Sequence, residues 1–184
     1  MFLGGINVAS GNKPPWTLPA KAALSPYDMK RAIVHFQTPE LSTPPFFPIL
    51  SVVPQRAMLV VKARHDNETF EKCFLSTWEY SFITHVDVSK PDGLKQLLSE
   101  HFDEKEVQEI MRLAGTKEFK DKLTENTEKA VKELGAFGAP WFWMTNEKGE
   151  SEPLFGSDRW AYMWRFLGVE FDDLKIREKR EAKL

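Results

Sequence analysis

The sequence holds a single cysteine, Cys73, among 184 residues. It therefore has no means of forming an intrachain disulfide, a Cys-x-x-Cys redox pair or a thiolate cluster for zinc. A reducing intracellular compartment fits such a chain. Net charge is nearly absent as well: 25 Lys and Arg against 27 Asp and Glu leave −2, which gives no electrostatic footprint for nucleic acid or an anionic membrane. Long apolar runs are missing, since stretches such as Ala57 to Val61 are far too short to span a bilayer. Met1 to Ala9 has neither the basic start nor the long apolar run of a secretory leader. The four histidines, His35, His65, His85 and His101, show no i, i+4 pairing, so no metal centre is expected. Repeats and low-complexity stretches do not occur. Small-molecule or protein partners remain.

What is present is one domain's worth of chain with an α/β pattern. Residues 2 to 8 read as a short apolar strand, followed by a loop from Ser10 to Pro19 in which Gly11 and Pro14, Pro15 and Pro19 disfavour regular structure. From about Pro26 to Leu134 the pattern is helical. Phe70, Cys73, Phe74, Thr77 and Trp78 fall on one face, which makes Cys73 a small core residue rather than a reactive thiol. Asp103 with Glu106 forms a capping-box-like start for a helix carrying Val107, Ile110, Met111 and Ala114 and ending at Gly115. A further helix runs from near Thr116 through Phe119, Leu123, Ala130 and Leu134 to Gly135. Trp141 to Met144 and Glu152 to Phe155, with a turn containing Asn146, Lys148 and Gly149, give a hairpin signal. A last helix carries Trp160, Met163, Trp164 and Leu167, with Ser157 or Asp158 placed to cap it and Gly168 to end it.

Two segments go beyond a generic α/β pattern. They are Ser10-Gly11-Asn12-Lys13-Pro14-Pro15, and Gly135-Ala136-Phe137-Gly138-Ala139-Pro140 together with Phe155-Gly156-Ser157-Asp158-Arg159. Jointly they resemble the kappa-class glutathione transferases, which share a thioredoxin-like fold with an inserted helical domain with DsbA-type oxidoreductases and 2-hydroxychromene-2-carboxylate isomerases. The resemblance spans roughly residues 2 to 172. It implies a thioredoxin-like domain made of 1–24 and 117–172, a helical insertion at 25–116 and a charged tail at 173–184. It also implies a cis peptide bond before Pro140, with Ala139 offering backbone groups to a peptide-like ligand. Ser157 and Asp158 match the pair that holds the γ-glutamyl end of glutathione, although capping alone would explain both. Asn12 and Lys21 match further tripeptide contacts, Asn12 through its amide and Lys21 through the glycyl carboxylate.

The implied activity is conjugation of glutathione, as co-substrate, to small electrophiles or reduction of hydroperoxides, a detoxifying chemistry carried out by a homodimer without a metal. The family's activating serine, with its first strand and first helix, is expected upstream of Met1, so no catalytic residue is assigned within the chain. On that placement residues 2 to 8 would be detached or paired elsewhere. Ser25-Pro26-Tyr27 imitates the family's serine-proline-tyrosine motif but opens a helix, where a serine cap followed by proline suffices as explanation. The single cysteine excludes a DsbA-type disulfide oxidoreductase. A non-catalytic glutathione-binding or interaction protein and an isomerase of the hydroxychromene type stand as alternatives. Finally, Ala182-Lys183-Leu184 resembles a Ser-Lys-Leu peroxisomal address behind basic Lys179 and Arg180, with mitochondrion or cytosol as alternatives.

Overall fold

The computed structural model describes residues 1–172; the charged tail with Ala182-Lys183-Leu184 lies outside the described residues. The helices are α1 (Leu3–Ser10), α2 (Pro19–Phe36), α3 (Val52–Arg64), α4 (Asn67–Phe82), α5 (Pro91–Ser99), α6 (Glu104–Ala114), α7 (Lys117–Lys132) and α8 (Trp160–Leu167), with a 3₁₀ turn at Pro15–Thr17. Between α7 and α8 lie β1 (Trp141–Thr145) and β2 (Ser151–Phe155), an antiparallel pair in which Trp141 faces Phe155 and Thr145 faces Ser151.

The main core is helical and follows from the sequence periodicity. The carboxylate of Asp103 accepts the Glu106 N–H at 2.8 Å, starting α6 so that Val107, Ile110 and Ala114 point inward. Asp66 does the same for α4 by accepting the Thr69 N–H at 2.8 Å. Proline at the first position of α5 fixes its entry, and Leu94, Leu97 and Leu98 are then sealed against Val60 and Val61 of α3 and Ile110 of α6. Gly93 is required there: a Cβ would stand 2.3 Å from the Asp87 carbonyl oxygen. Cys73 is fully buried in this core, and burial pushes its thiol up to about 12.

Three expectations fail. Residues 2 to 8 do not form a strand, nor are they detached. They make α1, which buries Ile6 and Asn7 against α7, with the Phe2 N–H donating to Thr127 Oγ1 at 3.0 Å. A short apolar run carries no period of its own, and Gly5 lets the helix come so close that a Cβ would meet Thr127 Cγ2 at 3.0 Å. Gly11, with φ +72°, closes α1.

The second miss is the start of α2. It begins at Pro19, seven residues before Pro26, which sits inside the helix, so Ser25 is neither a cap nor a helix start. The expected boundary between residues 24 and 25 falls within this helix. The third concerns the face predicted for α4. Cys73 is buried, but Phe74 and Trp78 are 40 % and 53 % exposed; Phe74 stacks on Phe70 and Trp78 on Phe82, and the two meet edge to face. Tyr80 takes the inward position instead, its hydroxyl donating to Glu100.

Two smaller clusters lie outside this core. Ile6, Ala130 and Ala136 join α1, α7 and the segment before β1, while Met144, Leu154 and Met163 join the hairpin to α8. Three of the four histidines serve as local braces: His65 meets Glu106 at 3.0 Å, His101 meets Ser76 at 2.9 Å and His85 meets Ser42 at 3.0 Å.

Candidate functional site

α7 ends at Lys132, and Gly135 with φ +69° turns the chain out of it, after which the Ala136 N–H returns to the Ala130 carbonyl at 2.8 Å. Ala136 is thereby buried, and the next four residues are led across the end of α1. There the C-terminal turn of α1 grips them. Asn12 Nδ2 donates to the Phe137 carbonyl at 2.7 Å, with Ser10 Oγ at 3.4 Å from the same oxygen. Gly138 leaves no room for a side chain, since its Cβ would lie 3.0 Å from the Phe155 ring and 3.5 Å from Asn12 Nδ2. The Ala139–Pro140 bond is cis, as the resemblance implied. A second cis bond, Phe47–Pro48, was not foreseen.

The hairpin then brings the far end of the chain back. The Gly156 N–H donates to the Pro140 carbonyl at 3.1 Å, extending the β1–β2 pairing by one step and setting Ser157 and Asp158 beside the cis proline. Gly156 has φ +97°, and a Cβ there would be 2.6 Å from Asp158 Oδ1, so only glycine fits. Arg159 folds over this turn, donating to the Phe155 carbonyl at 2.6 Å and standing 3.7 Å from Asp158 Oδ1. Neither Ser157 nor Asp158 caps α8, contrary to the sequence reading: the capping position is Arg159, without a side-chain cap. Asp158, at 75 % side-chain exposure, is free toward solvent.

Asn12, Ala139, Pro140, Ser157 and Asp158 are thus drawn to one edge of the molecule. Lys21 is not tied to them: it lies exposed in the first turns of α2, with no hydrogen bond or ion pair to that group among the described residues. Ala139 is an exposed residue, and its backbone N–H and C=O take no partner within the described residues. An unpaired donor and acceptor on one exposed residue are what an extended, peptide-like ligand pairs with. A hydroxyl and a carboxylate stand next to them, suited to a carboxylate and an ammonium group respectively. Asn12 has its amide half used inside the protein, since Oδ1 also accepts the Lys13 N–H at 2.8 Å. It holds the edge in place and keeps one N–H to spare.

Sequence reasoning missed the aromatic wall beside this edge. Phe137 lies 4.6 Å from Phe155 and 5.1 Å from Trp141, ring centre to ring centre, and the Trp141 Nε1 is buried without a partner among the described residues. The aromatic residues on both sides of Pro140 were the available signal. Cys73 plays no part, because a buried thiol held near 12 is protonated at neutral pH.

Comparisons with known proteins give the family. The DsbA-like thioredoxin domain family matches residues 1–167. Glutathione S-transferase kappa 1 of Homo sapiens is 29 % identical over 175 residues, covering 92 % of this chain and 76 % of the relative. The protein of the same name from Caenorhabditis elegans is 32 % identical over 174 residues, covering 86 % of this chain and 70 % of the relative. Glutathione s-transferase kappa 2 of that organism is 30 % identical over 148 residues, covering 80 % and 64 %. With the family match over residues 1–167 and these relatives together, the chain belongs to the DsbA-like thioredoxin domain family and, within it, to the kappa-class glutathione transferases.

Proposed function

We propose that the chain binds glutathione as co-substrate along the Ala139–Pro140 edge and works as a kappa-class transferase, conjugating it to small electrophiles or reducing hydroperoxides. The unpaired backbone of the exposed Ala139 beside the cis proline carries this reading. The tripeptide lies extended against Ala139, with its γ-glutamyl carboxylate at the Ser157 hydroxyl and its ammonium group at Asp158. Asn12, locked onto the Phe137 carbonyl, fixes the edge and contributes its spare N–H. The ligand's own thiol supplies the nucleophile, since Cys73 is sealed in the helical core. Calorimetry with reduced glutathione tests the assignment. Asp158→Ala should weaken binding by about ten- to a hundredfold, the worth of a charge-assisted hydrogen bond, and Lys21→Ala should do less. Equal effects of the two substitutions would undo it.

Two further parts of this reading concern assembly and address. The eighteen-residue α2 buries none of its residues, yet carries Leu24, Tyr27, Val34 and Phe36 at 51 to 78 % exposure. An apolar helix surface of this kind supports a homodimer formed through α2. Sedimentation of the chain and of Val34→Glu checks it: a monomer in both cases would contradict the dimer. The Ala182-Lys183-Leu184 terminus acts as a peroxisomal address, and a fluorescent protein carrying residues 173–184 should become punctate in cells and diffuse once Leu184 is deleted.

A further inference from the structure

A cavity of about 300 Å³ opens between α1, α3 and α7, with Asn12 not among its lining residues. Its size is at the lower end of the range of small-ligand pockets, roughly 300 to 1,000 Å³. Its walls are mostly hydrocarbon, supplied by Phe2, Val52, Leu123 and Val131. The polar groups around it are nearly all spent. The Thr127 hydroxyl donates to the Leu123 carbonyl at 2.7 Å and accepts the Phe2 N–H, and Thr124 donates to the Lys120 carbonyl at 3.1 Å. At the rim Lys132 pairs with Glu128 at 2.6 Å.

One group is left over. Arg56, half-buried on α3, lines the cavity, and among the described residues its guanidinium makes no hydrogen bond, its Nε being buried without a partner. No ion pair to its guanidinium occurs among the described residues. A guanidinium offers donors in a planar fork that a carboxylate fills with two parallel bonds. Because Glu128 and Lys132 cancel, the lining carries one positive charge. Among the described residues a dianion would meet no second free cation along this lining, and a neutral apolar molecule would leave the Arg56 guanidinium without a counter-charge.

We propose that this cavity binds a small amphipathic monocarboxylate, with its carboxylate on Arg56 and its short apolar chain against Phe2, Val52, Leu123 and Val131. The site is separate from the Ala139–Pro140 edge and does not depend on the glutathione assignment. Calorimetric titration of the full 184-residue chain with sodium octanoate, at fixed ionic strength, tests it. Saturable one-to-one binding with Kd below about 1 mM is expected. Arg56→Gln should weaken it at least about tenfold, and 1-octanol, of the same length without the charge, should bind at least about tenfold more weakly than octanoate. Thr124→Trp places a ring at the mouth from an exposed position of α7 and should abolish binding while far-UV circular dichroism stays unchanged. If Arg56→Gln loses its native spectrum, the plug variant and the octanol comparison decide. Absence of saturable binding, equal affinity for octanoate and octanol, or undiminished binding by Thr124→Trp would each overturn the proposal.

Discussion

The helices α3 to α6 and the edge around Pro140 solve opposite problems with different materials. In the helical block, Leu94, Leu97, Leu98, Val60, Val61, Val107 and Ile110 are all 0 or 1 % exposed, and the caps at Asp66 and Asp103 satisfy the starts of α4 and of α6, the latter carrying Val107 and Ile110. The candidate site rests on two clusters of three buried residues each and keeps Asn12, Ala139, Ser157 and Asp158 exposed. Stability is concentrated where no recognition chemistry stands, and the edge that carries the recognition groups is tied down by single hydrogen bonds to carbonyls, Asn12 to Phe137 and Gly156 to Pro140. Each region should therefore be damaged without much injury to the other.

The strongest way to break that comparison is in the core. Leu97→Ala should cost about 2 to 5 kcal/mol of stability by urea denaturation, from lost transfer energy and the cavity left behind. Glutathione affinity measured on the folded fraction should hardly change. The next largest effect is the converse: Asp158→Ala should cost about 1.5 to 3 kcal/mol of glutathione binding and leave the denaturation midpoint nearly where it was, because the carboxylate is 75 % exposed and its one ion pair, to Arg159 at 3.7 Å, is a surface pair of little worth.

Alkali should then pick out the core specifically. Burial holds the Cys73 thiol up near 12, whereas in the unfolded chain it titrates near 8.5. Tyr80 is likewise pushed up to about 12 by burial and by its bond to Glu100. The native state keeps these protons while the unfolded state releases them, so the stability they contribute is complete below the unfolded values and is lost as pH rises toward 12. Each group adds a slope of at most about 1.4 kcal/mol per pH unit. Cys73→Ala should flatten the decline between about pH 9 and pH 12 in pH-dependent denaturation.

The smallest effect is expected at the α3–α6 surface. There the hydrogen bond from Arg64 holds the Glu106 carboxyl below the usual carboxylate range. That contribution is present above the ordinary carboxylate pKa and fades as pH falls through the lowered one. Glu106→Gln should move the melting temperature by no more than about 4 °C, with the difference from the parent chain vanishing in acid.

The same partition governs what the residues disclosed in advance. Where a single local rule decides, the sequence was legible: the Asp103 cap, the burial of Cys73, the hairpin at 141–155 and the left-handed Gly168 after α8 all appear as expected. Where tertiary packing decides, it was not. Residues 2 to 8 look like a strand because an apolar run does not reveal its period, and only Gly5 against Thr127 explains the helix. Phe74 and Trp78 match Cys73 in spacing, but α4 needs only part of its apolar surface for the core. At the edge, the residue types near Pro140 and Asp158 could be named from their resemblance to a family. That Asn12 would spend its amide on the Phe137 carbonyl, and that Lys21 would stand apart, follow only from the path of α1 and α2.

The most direct test of the central claim is a titration of the isotope-labelled chain with reduced glutathione, followed by backbone amide resonances. The account predicts saturable shifts clustered at Asn12, Ala139, Ser157 and Asp158, with Leu97, Val107 and Ile110 unmoved. Shifts confined to α4 or spread through the helical core, or none at all, would contradict it.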